Sequence, residues 1–307
     1  MKKMRDRTEK IAVLGSIAYD QISSTRGMRK VDTKNSLNLK INAPINRFGG
    51  CGANIAVGLS YFGVASTLLS ISGKQDDAPY VERLGSKGVP LNGIIRVRGK
   101  TSRGFVITDS QGEQFTAFYP GPSIRAKTWE RHLLSLQEKL KNVEILICAP
   151  FPHTLTRITL AYFKKLKRRP LIIWNPGQYL DQLSQNDIAE LSDSWDWFIG
   201  NAYEAKFMSR DISEIKTIII TDGEKPITVR NGGTTSRYSF SFKGEIKDPT
   251  GCGDAFNAGL IQSLVKLPIR KRIISRKHIS QGIKAAQSCI TLSSFDSLTD
   301  MLPANNS

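Results

Sequence analysis

Short apolar runs return along this chain of 307 residues, at 11–15, 67–71, 143–148, 171–174, 197–200 and 217–221. Each is four to six residues long, the length of a strand, and a largely apolar run of that length reads as a strand buried on both faces. Helical periodicity separates several of them, at 53–62, 78–87, 128–140 and 155–166, and two further helical patterns, 254–266 and 280–292, close the chain. In the first of these two, Phe256, Leu260 and Leu264 recur with Ile261 and Val265 beside them, the spacing of a helix with one buried face. Repeated β-α-β units imply a mostly parallel sheet with helices on both faces. The predicted fold is α/β, a doubly wound sheet.

Two stretches break this alternation. Residues 20–48 lose helical periodicity, and 36–42 alternate polar and apolar side chains, as do 94–98, 103–108 and 114–119. Alternation means strands with one wet face. These segments predict a small β lid, 20–48 with 94–120, inserted in a core of 1–19, 49–93 and 121–307. Asn231-Gly232-Gly233 between 227–229 and 235–241 predicts a hairpin.

The net charge of +17 admits a nucleic-acid-binding surface or a solvated basic one. The clusters Lys164-Lys165, Lys167-Arg168-Arg169 and Arg270-Lys271-Arg272 carry no interleaved aromatics, which favours a solvated surface that also draws anionic nucleotides. No specific nucleic acid is expected. Four cysteines, none in a C-x-x-C pair, and three histidines argue against zinc and for reduced thiols, hence a cytoplasmic protein. Residues 11–18 are too short to span a membrane, and Asp20 follows at once, so neither a signal peptide nor a membrane span is predicted.

Several familiar motifs fail on spacing. Gly93 to Thr101 has five residues between its glycines where a phosphate-binding P-loop needs four. Gly50-Cys51-Gly52 lacks the third glycine of a dinucleotide fingerprint. No histidine stands near a nucleophile in sequence, so a hydrolase triad has no support.

Lys247–Val265, KDPTGCGDAFNAGLIQSLV, is more informative. A glycine-rich turn opening a helix leaves backbone N–H groups unpaired where the helix dipole favours negative charge. Asp254 stands in that anion cradle. Two readings fit: a base that takes a proton from a nucleophile attacking the anion, or an ordinary first-turn acid.

The run Asp248-Pro249-Thr250-Gly251-Cys252-Gly253-Asp254 resembles the D-T-x-G-x-G-D signature of the ribokinase-like, PfkB-type, sugar and nucleoside kinases. Gly49-Gly50-Cys51-Gly52-Ala53-Asn54-Ile55-Ala56 resembles that family's G-G-x-x-x-N-x-A signature, about 200 residues earlier. The likeness runs from about Ile11 to about Ser293 and departs at Pro249 and Cys252. It implies ATP-dependent phosphoryl transfer to a primary hydroxyl, with Mg²⁺, in a ribokinase-like fold. By that resemblance Asp254 is the base, the N–H groups of Gly251, Cys252 and Gly253 form the anion hole, and Thr250 lines the phosphates. Asp248 is left between a direct role and a turn.

The same likeness assigns Asp20, Gly49, Gly50 and Asn54 to the acceptor. Carboxylates and amides suit vicinal hydroxyls, although Asn54 could instead merely cap the helix that begins there. Asn201-Ala202-Tyr203-Glu204 matches an N-x-x-E motif, so Glu204 is expected to hold Mg²⁺ through water, or else to cap a helix. Thr221-Asp222-Gly223 resembles a nucleotide loop, and Asn201, Thr221 and Gly223 are expected at ATP with Thr250, Gly251 and Gly253. Ala285, Ala286 and Cys289 would wall the adenine. Asp76 and Asp77 stand near an expected G-x-D acid, with open roles. Thr116–Gly121 resembles the lid exit of adenosine-kinase-like members, and Phe115, Phe118 and Tyr119 either stack a base, Phe118 first, or pack the lid. The expected acceptor is a nucleoside, adenosine before ribose or fructose, in a monomer or a homodimer through the lid.

Overall fold

The computed structural model describes residues 9–26, 39–111, 114–177, 180, 183–208, 216–245, 250–268 and 273–291. In chain order β1 (Ile11–Leu14), β2 (Ala18–Ser24) and β3 (Ile45–Gly49) precede α1 (Cys51–Tyr61), β4 (Ser66–Gly73), α2 (Ala78–Ser86) and β5 (Ile94–Val97). Next come β6 (Ser102–Thr108), β7 (Gln114–Tyr119), α3 (Ala126–Ser135), α4 (Gln137–Leu140), β8 (Ile145–Cys148) and α5 (His153–Lys164). β9 (Leu171–Trp174), α6 (Gln185–Ser192), β10 (Trp197–Asn201), α7 (Ala202–Phe207) and β11 (Thr217–Asp222) follow. The last elements are β12 (Lys225–Asn231), β13 (Thr234–Tyr238), α8 (Cys252–Val265) and α9 (Arg276–Ile290).

Nine strands form one sheet in the order β13-β12-β11-β10-β9-β8-β1-β4-β5. From β11 to β5 all neighbours are parallel, and β12 and β13 add an antiparallel edge. The central apolar runs divide by alternation. Ile11, Val13, Ile145 and Ile147 face a core with α1, α2, α8 and α9, while Ala12, Leu14, Leu146 and Cys148 face one with α3 to α7. Helices on both faces of a mainly parallel sheet make this a doubly wound, ribokinase-like α/β fold. The strand order reverses about β1, which lies between β8 and β4. In such sheets ligands bind outside the carboxyl ends of the strands at that reversal.

The second sheet has the order β3-β2-β6-β7, with β2 and β6 parallel and the other pairs antiparallel. It springs from that same edge. β2 follows the carboxyl end of β1 after three residues, and β6 follows the end of β5 after four.

Residues 94–98, expected in the lid, are corrected: β5 is the outer strand of the large sheet, parallel to β4. Its alternation, Arg96 exposed between the half-buried Ile95 and Val97, is that of a sheet edge. Of the strand expected at 36–42, residues 36–38 lie outside the described residues, and 39–42 form no continuous strand, Ile41 making a single bridge to Thr25. The helix expected over 128–140 is two, broken at Leu136. β2 and β3 fall largely in the expected lid segment 20–48, where no individual strand was placed; α7 follows the helix-cap reading of Asn201–Glu204, and α6 carried no expectation. Asp248 and Pro249 lie outside the described residues. None of the described helices is long and apolar enough to cross a membrane.

Candidate active site

α8 opens at Cys252 behind Gly251, whose φ of 79° lies in the left-handed region that favours glycine. Among the described residues no side-chain hydrogen bond caps this end, and a helix N-terminus points its first N–H groups outward, where negative charge is favoured. A Cβ added to Gly253 meets nothing within 4 Å, so the mouth is open on that side. Asp254, in the first turn, is 7 % exposed. Burial is the main cause that pushes its carboxyl up to about 7, the charges of Asp20 and Glu204 push the same way, and hydrogen bonds from Asn54 and Cys51 pull down. Two further carboxylates thus act on Asp254 at this mouth.

α1 supplies the donors. Gly50 is its N-cap, and the Asn54 N–H already pairs with the Gly50 carbonyl at 3.0 Å, inside the helix. The Asn54 side chain is not a cap. Its Nδ2 donates to Asp254 Oδ2 at 2.8 Å. Cys51, three residues earlier on the same helix face, also hydrogen-bonds Asp254, and burial holds its thiol well above the usual range. The tip of α1 is seated on β1: a Cβ at Gly52 would lie 2.6 Å from the Gly15 Cα.

The lid brings Asp20 over this mouth. The Asp20 carboxylate packs against two glycines; an added Cβ would lie 1.9 Å from its Oδ2 at Gly49 and 2.8 Å from its Oδ1 at Gly104. Strand register aligns Arg47, Asp20, Gly104 and Phe118 in one row across β3, β2, β6 and β7. Paired positions share a face, so Phe118, 46 % exposed, lies on the Asp20 face with a glycine notch between them. Phe115 and Tyr119 fall on the opposite face.

Asn201 caps α7 and closes a capping box. Its Oδ1 accepts from the Glu204 N–H at 2.8 Å, and Glu204 accepts from the Asn201 N–H and Nδ2 at 3.0 Å each. Glu204 is buried, and desolvation raises its carboxyl pKa. Thr221 pairs in register with Asn201, and its hydroxyl donates to the Gly200 carbonyl at 3.3 Å. Gly223 lies in the exposed turn between β11 and β12. The Cys289 thiol donates to the Thr250 carbonyl at 3.6 Å, and Ala285 and Cys289 are buried in α9. Asp77 is buried against Arg96 and Ser72, while Asp76 pairs with Arg103 and the Thr101 N–H.

Asp20, Gly49, Gly50, Asn54, Gly251, Cys252, Gly253 and Asp254 thus converge, with Glu204 near enough for its charge to act on Asp254. Sequence reasoning missed Cys51, whose signal is its spacing of three from Asn54. It also missed Gly104, and Asn257, which donates to Asn175 Oδ1 at 3.0 Å and ties α8 to the end of β9. Asn257 was legible as a polar residue on an apolar helix face, three residues past Asp254.

A sequence model of the pfkB family carbohydrate kinases matches residues 8–294. A nucleoside kinase of Methanocaldococcus jannaschii is 25 % identical over 273 residues, 86 % of each chain. Among solved structures, a nucleoside kinase of Burkholderia thailandensis in complex with inosine superposes with a TM-score of 0.80 at 22 % identity, covering 94 % of this chain and 93 % of that one. Its complex with ADP and inosine gives 0.75 at 22 % identity, covering 94 % and 91 %.

Proposed function

This chain belongs to the pfkB family of carbohydrate kinases and is a phosphotransferase with a hydroxyl acceptor, a nucleoside or a sugar, and from that premise we propose that it phosphorylates a purine nucleoside, adenosine or inosine, at a primary hydroxyl. The buried Asp254 at an open helix mouth, hydrogen-bonded by Asn54, carries the reading. In the proposed reaction the acceptor hydroxyl lies between Asp20 and Asp254. As the γ-phosphoryl group of ATP arrives, Asp254 accepts the hydroxyl proton and the Gly251–Gly253 N–H groups hold the charge on the phosphoryl oxygens. A carboxyl poised near 7 is matched to that task at neutral pH.

Asp20, Gly49, Gly50 and Asn54 grip the sugar, and Phe118 meets the base. The named inosine complex of the Burkholderia thailandensis relative supports a nucleoside acceptor. Thr250, Asn201, Thr221 and Gly223 follow the nucleotide, for which that relative's ADP complex gives support. For Mg²⁺ the donor set is suitable. An ion ligated mainly by nucleotide phosphates and water needs few donors from the protein. Glu204, with lone pairs beyond those Asn201 engages, would hold its water. Bound there, Mg²⁺ neutralises charge on the transferring phosphate. Lid closure excludes water as a competing acceptor.

The four cysteines form no disulfide, and the proposed location is a reducing cytoplasm. The proposed assembly is a monomer or a homodimer through the lid. The decisive experiment measures ADP release with Mg-ATP over adenosine, inosine, other nucleosides, ribose and fructose. Turnover is expected with the purine nucleosides, and a preference for free sugars overturns the acceptor assignment.

A further inference from the structure

Tyr80, in the first turn of α2, is 2 % exposed, and its hydroxyl donates to the Gly49 carbonyl. Its ring meets Tyr19 edge-on at 5.4 Å and Phe48 at 5.1 Å. Tyr19 precedes Asp20 in β2, Phe48 precedes Gly49 in β3, and the two are cross-strand partners. The face of the lid turned away from Asp20 is therefore clamped at its root by one buried side chain of the core.

Neighbouring groups of α2 brace the same root. The Tyr19 hydroxyl donates to the Asp76 carbonyl at 2.7 Å, and the Asp76 carboxylate accepts from Arg103 of β6 and from the Thr101 N–H. Arg103 lies over the Tyr19 ring at 5.2 Å, and Arg83 of α2 lies over the Phe48 ring at 4.9 Å. With its ring locked between two aromatic neighbours, the Tyr80 hydroxyl has one direction to point. It fixes a backbone carbonyl at the residue where no side chain fits beside Asp20. A displacement of that peptide moves the wall against which the Asp20 carboxylate rests, and a misplacement of about 1 Å costs a reacting site on the order of a hundredfold.

We propose that Tyr80 is a positioning residue for the acceptor: by holding the Gly49 carbonyl it sets the Gly49–Gly50 strap against Asp20 and so presets the grip on the acceptor's hydroxyls. This inference rests on the kinase reading above. It concerns a residue that touches neither substrate nor nucleotide, and it separates the acceptor half of the site from the ATP half.

The test is Tyr80→Phe, which keeps both ring contacts and removes one hydroxyl. With inosine and adenosine as acceptors, the acceptor KM is expected to rise roughly five- to tenfold, the size of one lost buried hydrogen bond. The KM for Mg-ATP stays within about twofold, a split that loss of folding alone does not produce. Melting temperature reports folding, and Tyr80→Met, which fills the space without either ring or hydroxyl, is measured alongside. If Tyr80→Phe leaves the acceptor KM unchanged, or raises both KM values together, the positioning role is overturned while wild-type turnover keeps the kinase reading. If the wild type turns over none of the acceptors, the kinase reading falls and this inference falls with it.

Discussion

Asn54 Nδ2 reaches Asp254 Oδ2 at 2.8 Å across 200 residues of sequence. The bond joins the two glycine motifs physically. It sets one carboxylate oxygen at the mouth of α8 from a rigid helix instead of a loop, which is what a general base requires. Replacing the base by its isostere tests the assignment. Asp254→Asn keeps a side chain that still accepts from Asn54, so binding of ATP and nucleoside, followed by calorimetry, is expected to persist. Its kcat is expected to fall by about a hundredfold or more, the range of general-base catalysis. Wild-type turnover in this variant removes Asp254 from the chemistry.

The pH profile follows from the same carboxylate. Asp254 must be ionised to accept a proton, and its pKa is raised to about 7, chiefly by burial. The acid limb of kcat/KM is therefore expected near pH 7, well above an ordinary aspartate. Asn54→Ala removes a donor that favours the ionised form. In that variant the limb is expected to move to higher pH, and a profile flat down to pH 5 in the wild type contradicts the assignment.

Stability should run against activity at this residue. A carboxyl whose folded pKa is raised stabilises the fold below its unfolded value of 3.8, and that contribution is lost as pH rises through about 7. At pH 8 the wild type carries the full cost of a buried charge. Asp254→Asn is expected to melt a few degrees higher than the wild type at pH 8 and to lose that advantage near pH 4, where the wild-type carboxyl is neutral. Differential scanning calorimetry at the two pH values decides it, and equal melting at pH 8 speaks against a buried, ionised carboxylate.

Gly49 is expected to tolerate no side chain. A Cβ there lies 1.9 Å from Asp20 Oδ2, with the Tyr80 hydroxyl holding the peptide from behind. Gly49→Ala must swing the Asp20 carboxylate aside. Its kcat/KM for the acceptor is expected to fall on the order of a hundredfold with the fold retained, as checked by steady-state kinetics beside circular dichroism. An unchanged acceptor kcat/KM means that Asp20 does not grip the acceptor.

Sequence legibility followed burial. The apolar runs at 11–14, 145–148 and 171–174 were plain because they are covered on both faces, so every residue is apolar. Ile94–Val97 misled because an edge strand of a large sheet and a strand of a small lid show the same half-wet alternation. β2 and β3 escaped because their inward positions hold Asp20, Gly49 and Arg47, chosen for the cleft and not for a core. The short α7 was hidden inside Asn201–Glu204, where motif and capping box are the same residues. For Asn54 the sequence favoured the site and left a helix cap as the alternative. Only the packing of α1 on α8 decides between them, and no local pattern records which helices meet.

Phe118 separates a nucleoside site from a sugar site. It shares a row with Asp20 across Gly104, which puts no side chain of its own between carboxylate and aromatic. If a base occupies that space, Phe118→Ala loses a stacking partner worth about 1–3 kcal/mol. The kcat/KM for adenosine and inosine is then expected to fall by about tenfold or more, and that for ribose, which has no base to stack, to stay within about twofold. If Phe118 only packs the lid, truncation loosens Asp20 for every acceptor and the two substrates lose activity in equal proportion. The ratio of the two kcat/KM values, unlike either value alone, therefore distinguishes stacking from packing, and an unchanged ratio removes the base from the Phe118 face.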